Sequence, residues 1–346
     1  MLETVNIHIG LPKTGSTALQ STMAANHEFF RDQGILYPTS RTRYHNFLRH
    51  YFSEDSLKPR RVANASKVMS VAQIVRIANE EFQSLERQLE AFEGKTLLLS
   101  SELFSGMPEE ACTAMRDYVE GKAETIRVIA YVRHPLAFAV SFAQERVRLG
   151  HSVLEQEERK QWRRQLRSRL EGWIAAVGKE RLVLVPYERS ILIGGSTVSD
   201  TLSRIGYQGE IPETEAEVSN SSLTMAATVV KSRMNDFANT RDSRLGRQPY
   251  LGSIPGPRYA FPQETIERSQ RAVEEDLAWV KEKCGVELPA MPVEARAELA
   301  SYFTEEVTAA ILAIAGDRSH FRSELEADCY EHALRSLRAD GLLPKG

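Results

Sequence analysis

Apolar residues in the first 190 positions follow two alternating spacings. Val5–Ile9, Ile35–Tyr37, Thr96–Ser100, Ile126–Val132 and Leu182–Val185 are short runs rich in aliphatic side chains, the pattern of buried strands. Between them the spacing stretches to three and four. Val71, Ile74, Val75, Ala78, Phe82, Leu85, Leu89 and Phe92 predict a helix within 66–92, and another is predicted over about 108–121. Pro135 opens a further helix, where its missing N–H has no helical partner to lose. Strands alternating with helices predict an α/β fold, a parallel sheet with helices on both faces. Beyond about residue 210 no strand is expected. There 208–222 is polar, 239–262 holds four Pro and three Gly, and 223–238, 263–284, 293–316 and 319–338 read as helices. The expected organisation is an α/β core over 1–210 and a mostly helical part over 211–346, which could pack with the core as one body.

Composition narrows the function classes. The chain has 346 residues, 44 Lys+Arg against 47 Asp+Glu, and a net charge of −3, a balance that disfavours a general nucleic-acid binder. With 42% hydrophobic and 26% charged residues it is ordinary for a globular protein. No apolar run approaches about 18 residues, so no membrane span is expected. Met1-Leu2-Glu3-Thr4-Val5 has neither the charged nor the apolar region of a signal peptide. Cys112, Cys284 and Cys329 lie too far apart to suggest a zinc knuckle or a disulfide framework. A metal-free protein of the cytoplasm is expected.

The first strand runs into Gly10-Leu11-Pro12-Lys13-Thr14-Gly15-Ser16-Thr17 and then into a helix, the context a phosphate-binding loop requires. Glycines let the backbone turn its N–H groups inward, and the helix N-terminus adds about half a positive charge. An ordinary strand-to-helix turn with two structural glycines is the plain alternative. A nucleoside-triphosphate loop carries Lys where this chain has Ser16, and its Mg²⁺ is held by an Asp at a strand end. The strand ends here read Ser100-Ser101-Glu102, Val132-Arg133-His134 and Pro186-Tyr187-Glu188, which disfavours a kinase using ATP and Mg²⁺.

The loop Pro12-Lys13-Thr14-Gly15-Ser16-Thr17, with Leu19 and Gln20 behind it, resembles the 5′-phosphosulfate loop of sulfotransferases that use 3′-phosphoadenosine 5′-phosphosulfate, PAPS. A second motif adds to the resemblance. Arg133 ends a strand and Ser141 follows eight residues later on the helix opened by Pro135, as in that family's 3′-phosphate site. Arg offers a planar fork of donors to a phosphate dianion, and Ser adds a neutral one. Leu170-x2-Trp173, Gly178 and Leu182–Glu188 are similar to segments of bacterial carbohydrate sulfotransferases. So are Val218–Leu223 and Met234-Asn235, and more loosely Asp276, Leu277 and Gly285. The resemblance implies a nucleotide-kinase-like sulfotransferase fold. It also implies PAPS as co-substrate, no metal, and transfer to a hydroxyl or amine of a small-molecule or glycan acceptor. A non-catalytic nucleotide-binding protein on the same fold stays open beside the kinase.

Lys13 and the loop amides are expected to hold the 5′-phosphosulfate, and Arg133 and Ser141 the 3′-phosphate. Arg258, in the Pro/Gly-rich stretch with Arg241, Arg244 and Arg247, is a further candidate for the 3′-phosphate. Two residues compete as proton acceptor. Glu102 sits at the carboxyl end of a core strand, where α/β sites form, though it could instead cap the next helix or pair with an Arg. His45, in Arg41-x-Arg43-Tyr44-His45, titrates in the useful range but could be merely exposed. His8, inside the first strand, reads as structural. Arg159–Arg169 holds six basic residues and no acid, and reads as a solvated helix face or an attractor of anionic glycans. Acceptor identity and oligomeric state are not legible in the sequence.

Overall fold

The computed structural model describes residues 1–53, 60–61, 68–160, 166–212, 222–289 and 294–345. Its strands are β1 (Leu2–Ile9), β2 (Ile35–Leu36), β3 (Arg60–Arg61), β4 (Val68–Met69), β5 (Thr96–Ser101), β6 (Ala123–Val132) and β7 (Leu182–Pro186). Five of them form one sheet in the order β2-β5-β1-β6-β7, with every pair parallel. The fold is α/β, as the alternation of strand and helix patterns predicts. The hydrophobic pattern gave no sign of β3 and β4, a separate antiparallel pair.

Two contact regions hold the sheet. Val5, Ile7 and Ile9 of β1 share one buried cluster with Leu97, Leu99, Val128 and Ala130, covered by Phe104, Met115, Leu170 and Trp173. Leu98, Ile129 and Tyr131 belong to a second cluster with Leu19, Met23, Phe30, Val198 and Leu202. Parallel strands need helices on both faces, and sealing each large aliphatic side chain contributes ~1.5–3 kcal/mol. The helix predicted within 66–92 spans Val71–Glu90. It starts at a capping box in which the Ser70 hydroxyl accepts from the Gln73 N–H and the Gln73 side chain accepts from the Ser70 N–H.

The chain divides into two compact units. The first is Met1–His134, Arg164–Val218 and Asp276–Pro289; the second is Pro135–Arg163, Ser219–Glu275 and Ala290–Gly346. This is not one cut near residue 210. The Pro135–Arg148 helix belongs to the second unit because its partners lie there: Gln144 Nε2 donates to Leu223 O (2.8 Å), and Asn235 Nδ2 donates to Val147 O (2.7 Å). Residues 276–289 belong to the first, where Val280 and Leu288 enter the core.

The second unit holds the helices Met225–Asn239 and Glu324–Ala339, close to expectation. The helix expected over 293–316 begins only at Glu305, because Thr304 Oγ1 accepts from the Val307 N–H (3.3 Å) and stops the helix extending backwards. Residues 299–302 form a separate 3₁₀ turn, and residue 293 lies outside the described residues.

Candidate functional site

The site grows from the loop after β1, within the first unit. The chain leaves the carboxyl end of the sheet at Ile9 and enters the Ser16–Ala25 helix behind Gly15, which has φ 81°. No side chain caps this helix, and no acidic residue lies in its first turn. Its first N–H groups have no intrahelical partners, and the dipole adds positive potential, so an anion is the natural cap. Lys13 is also left-handed, at φ 67°. A non-glycine there stores ~1–3 kcal/mol, which the surroundings must hold.

Two hydroxyls hold the loop in this shape. Thr14 Oγ1 donates to Leu11 O at 2.6 Å, and Thr197 Oγ1 donates to Thr14 O at 2.9 Å. Thr197 opens the Thr197–Arg204 helix, capped by Ser196 Oγ, which accepts from the Ser199 N–H. A methyl on Gly15 would overlap the Thr197 hydroxyl, and the Tyr187 ring lies 3.6 Å from the same point. Gly15 is therefore fixed twice, by its φ and by the lack of room. Gly15→Ala is expected to lower stability by ~1–3 kcal/mol and to weaken anion binding at the loop. Urea unfolding with calorimetry of nucleotide binding checks this, and wild-type values in both would refute the bracing.

Glu102 meets this loop from β5. A Cβ built on Gly10 would lie 2.9 Å from Ser16 Oγ and 3.2 Å from Glu102 Cγ, so the two side chains converge over Gly10. Glu102 is solvent-accessible, yet protein packed around the carboxyl thins its hydration and pushes its pKa up. A hydrogen bond with the Ser16 hydroxyl and the cations Lys13, Arg169 and Arg43 pull it back down. A carboxylate whose pKa is raised in this way is a better proton acceptor than an ordinary surface glutamate.

His45 has a different task from the proton acceptor considered above. Its ring is fully buried; Nδ1 accepts from the Ser100 N–H (2.9 Å), so Nε2 carries the hydrogen and donates to Pro38 O (2.9 Å). Burial pushes its pKa down to about 4, with the two backbone bonds opposing that shift. No ring lone pair is left to take a proton, and the ring instead clamps β5 two residues before Glu102. Ser100 Oγ completes the clamp by bonding His8 Nδ1 (2.8 Å) and accepting from Gln20 Nε2 (3.1 Å).

The remaining candidates are placed individually. Arg133 follows β6, half-buried, in the first unit. Ser141 is half-buried on the Pro135–Arg148 helix, and Arg258 is exposed and bridged to Thr224 by a short antiparallel contact, both in the second unit. Pro12 and Thr17 are half-buried in the loop and first helical turn, while Ser16 is buried. In the basic run, Lys160 pairs with Glu157 and Arg167 with Glu171, whereas Arg169 turns inward to Ser105. Residues 161–165 of that run, and 218–221 of the Val218–Leu223 motif, lie outside the described residues. Thr197 and Arg169 were not singled out by sequence reading. The signal for Thr197 was the cap Ser196-Thr197 behind Gly194-Gly195, while Arg169 was hidden among other cations.

No protein-family model matches this chain, and no curated protein matches it. Among solved structures it is similar to a sulfotransferase from Alicyclobacillus acidocaldarius, at 13% identity over 81% of this chain and 99% of that one, with a TM-score of 0.39. It is also similar to the sulfotransferase domain of the Synechococcus PCC 7002 olefin synthase, at 16% identity over 78% of this chain and 94% of that one, with a TM-score of 0.29. These likenesses concern the fold and assign no residue a role.

Proposed function

We propose that this chain transfers the sulfuryl group of PAPS to a hydroxyl or amine, with a carbohydrate as the expected acceptor class. The observation that supports it most is the convergence of Glu102 with Ser16 and Lys13 at an anion-receptive loop. In the proposed step the acceptor oxygen or nitrogen bonds to sulfur while the bond from sulfur to the 5′-phosphate oxygen breaks. The electron pair leaves with 3′-phosphoadenosine 5′-phosphate, PAP, and the acceptor proton passes to Glu102. The loop N–H groups and Lys13 face the phosphate on which charge grows, so positioning and electrostatics supply most of the acceleration. Arg133 and Ser141 are proposed as donors to the 3′-phosphate on the resemblance of their motif, and Arg258 as a further donor from the Pro/Gly-rich stretch.

This reading expects PAP to bind in preference to AMP, without a divalent ion, by about tenfold or more, since a charge-assisted phosphate contact is worth ~1.5–3 kcal/mol. Calorimetry with both nucleotides tests the binding, and transfer from labelled PAPS to panels of glycans, lipids and small alcohols tests the reaction. Equal affinity for PAP and AMP would remove the 3′-phosphate assignment. ATP binding that requires Mg²⁺ would favour the kinase. Among the described residues no helix is long and apolar enough to cross a membrane.

A further inference from the structure

The residue after β5 is carried on a short 3₁₀ turn, Glu102–Gly106, and this turn is held at successive backbone positions. Ser101 Oγ accepts from the Leu103 N–H (3.0 Å) and donates to Asn46 Oδ1 (2.5 Å). Ser105 Oγ donates to the carbonyl of Glu102 itself (2.9 Å). The other two holds come from one helix, Leu166–Val177: Trp173 Nε1 donates to Phe104 O (2.9 Å), and Arg169 Nη1 donates to Ser105 Oγ (3.1 Å). Arg169 and Trp173 are four residues apart, so one helix face grips the turn twice. That helix is itself anchored, because the wholly buried Asp276 accepts from the N–H groups of Leu166 (3.0 Å) and Arg167 (3.4 Å). A carboxylate at this end also complements the helix dipole.

We propose that Arg169 is a positioning residue, which fixes the Glu102–Gly106 turn through Ser105 and, from that anchorage, holds a cation on the side of the turn where it acts on Glu102 through space. Its catalytic meaning rests on the proposed transfer, but the link from Arg169 through Ser105 to Glu102 stands in the geometry without it. Four groups from three segments act on Glu102: Lys13 and Ser16 from the loop, Arg43 from the segment before His45, and Arg169 from the helix behind. Lys13 would also face the phosphosulfate and Arg43 is exposed to solvent, whereas Arg169 is half-buried, where desolvation pulls its pKa down and the Glu102 charge opposes that shift. A guanidinium placed this way favours the ionised form of Glu102 and, through Ser105, holds the backbone from which the side chain projects.

Titration of the Glu102 carboxyl by NMR, in protein labelled at the glutamate side-chain carbons and assigned with Glu102→Gln, tests this without needing any transfer. In Arg169→Gln the midpoint should move to higher pH, read as a fall of about threefold or more in the ionised fraction below the midpoint. Arg169→Lys keeps the charge but loses the reach to Ser105. It should hold the midpoint near wild type while the Met107 amide, which donates to Phe104 O across the turn, exchanges about threefold faster or more. A folded Arg169→Gln with an unmoved midpoint would overturn the electrostatic half of the proposal. An Arg169→Lys protein with unchanged Met107 exchange would overturn the positional half, even if the glutamine variant did not fold. Absence of transfer in the wild type with the expected titrations would count against the sulfotransferase reading and leave the role of Arg169 standing.

Discussion

Glu102→Gln is expected to lower the transfer rate by ~10²–10⁴-fold while PAP affinity stays within about threefold of wild type. Glutamine preserves the length of the side chain and can still meet the Ser16 hydroxyl, so the loop should keep its shape. What it loses is the ability to take the acceptor proton. Glu102 is accessible at the rim and is not part of either buried cluster, so the substitution should not unfold the protein. The wild-type rate should carry an acidic limb from the same group. Burial raises the pKa of Glu102, so the working carboxylate is present above that raised value and is lost as pH falls through it. The limb should therefore lie above the range of an ordinary glutamate and vanish in Glu102→Gln. Single-turnover rates over a pH series, with calorimetry for PAP and circular dichroism for the fold, check these statements together. A folded Glu102→Gln protein that transfers at a wild-type rate would remove the base.

How much of this was legible in the sequence follows from where each signal lives. Buried parallel strands are nearly all apolar, and Leu97-Leu98-Leu99 cannot be mistaken for a surface segment, so the five sheet strands fell within about three residues of their observed ends. The loop was legible because Gly10, Gly15 and the strand before them are local in the chain. The task of His45 was not, because nothing near it in sequence says that Ser100, on another strand, would occupy its Nδ1. Arg169 illustrates the same limit more sharply. Among the described basic residues of the run, packing against Ser105 separates Arg169, which turns inward, from Lys160 and Arg167, which pair with Glu157 and Glu171 three and four residues away. The split into units was missed for a related reason. Pro135 reads as the start of one more helix of an alternating fold, but buried amides at Gln144 and Asn235 tie that helix to the Met225–Asn239 helix. Long-range polar pairs of this kind have no periodicity to read.

Lys13→Ala should lower the single-turnover rate by ~10²–10³-fold, the usual loss for one electrostatic donor aimed at developing charge. The argument turns on when the charge that Lys13 faces appears. Negative charge grows on the leaving phosphate only as the bond to sulfur breaks, so a cation beside it interacts more strongly in the transition state than with bound PAPS. Interactions of that kind raise the chemical rate, whereas those equal in both states raise affinity alone. Arg133 provides the contrast: the 3′-phosphate assigned to it keeps the same charge throughout, so Arg133→Ala should weaken PAPS binding and spare most of the rate at saturation. Lys13 is held in the left-handed region by the Thr14 and Thr197 hydroxyls, which an alanine side chain does not touch, so the loop should survive the change. Alanine at φ 67° keeps the backbone strain of the native loop, and the two proteins therefore differ chiefly in the ammonium group. Measuring PAPS affinity and single-turnover rate for both variants separates the roles. Wild-type transfer by a folded Lys13→Ala protein would end the proposed mechanism. A Lys13→Ala protein that lost only affinity would instead move Lys13 from leaving-group stabilisation to simple phosphate binding.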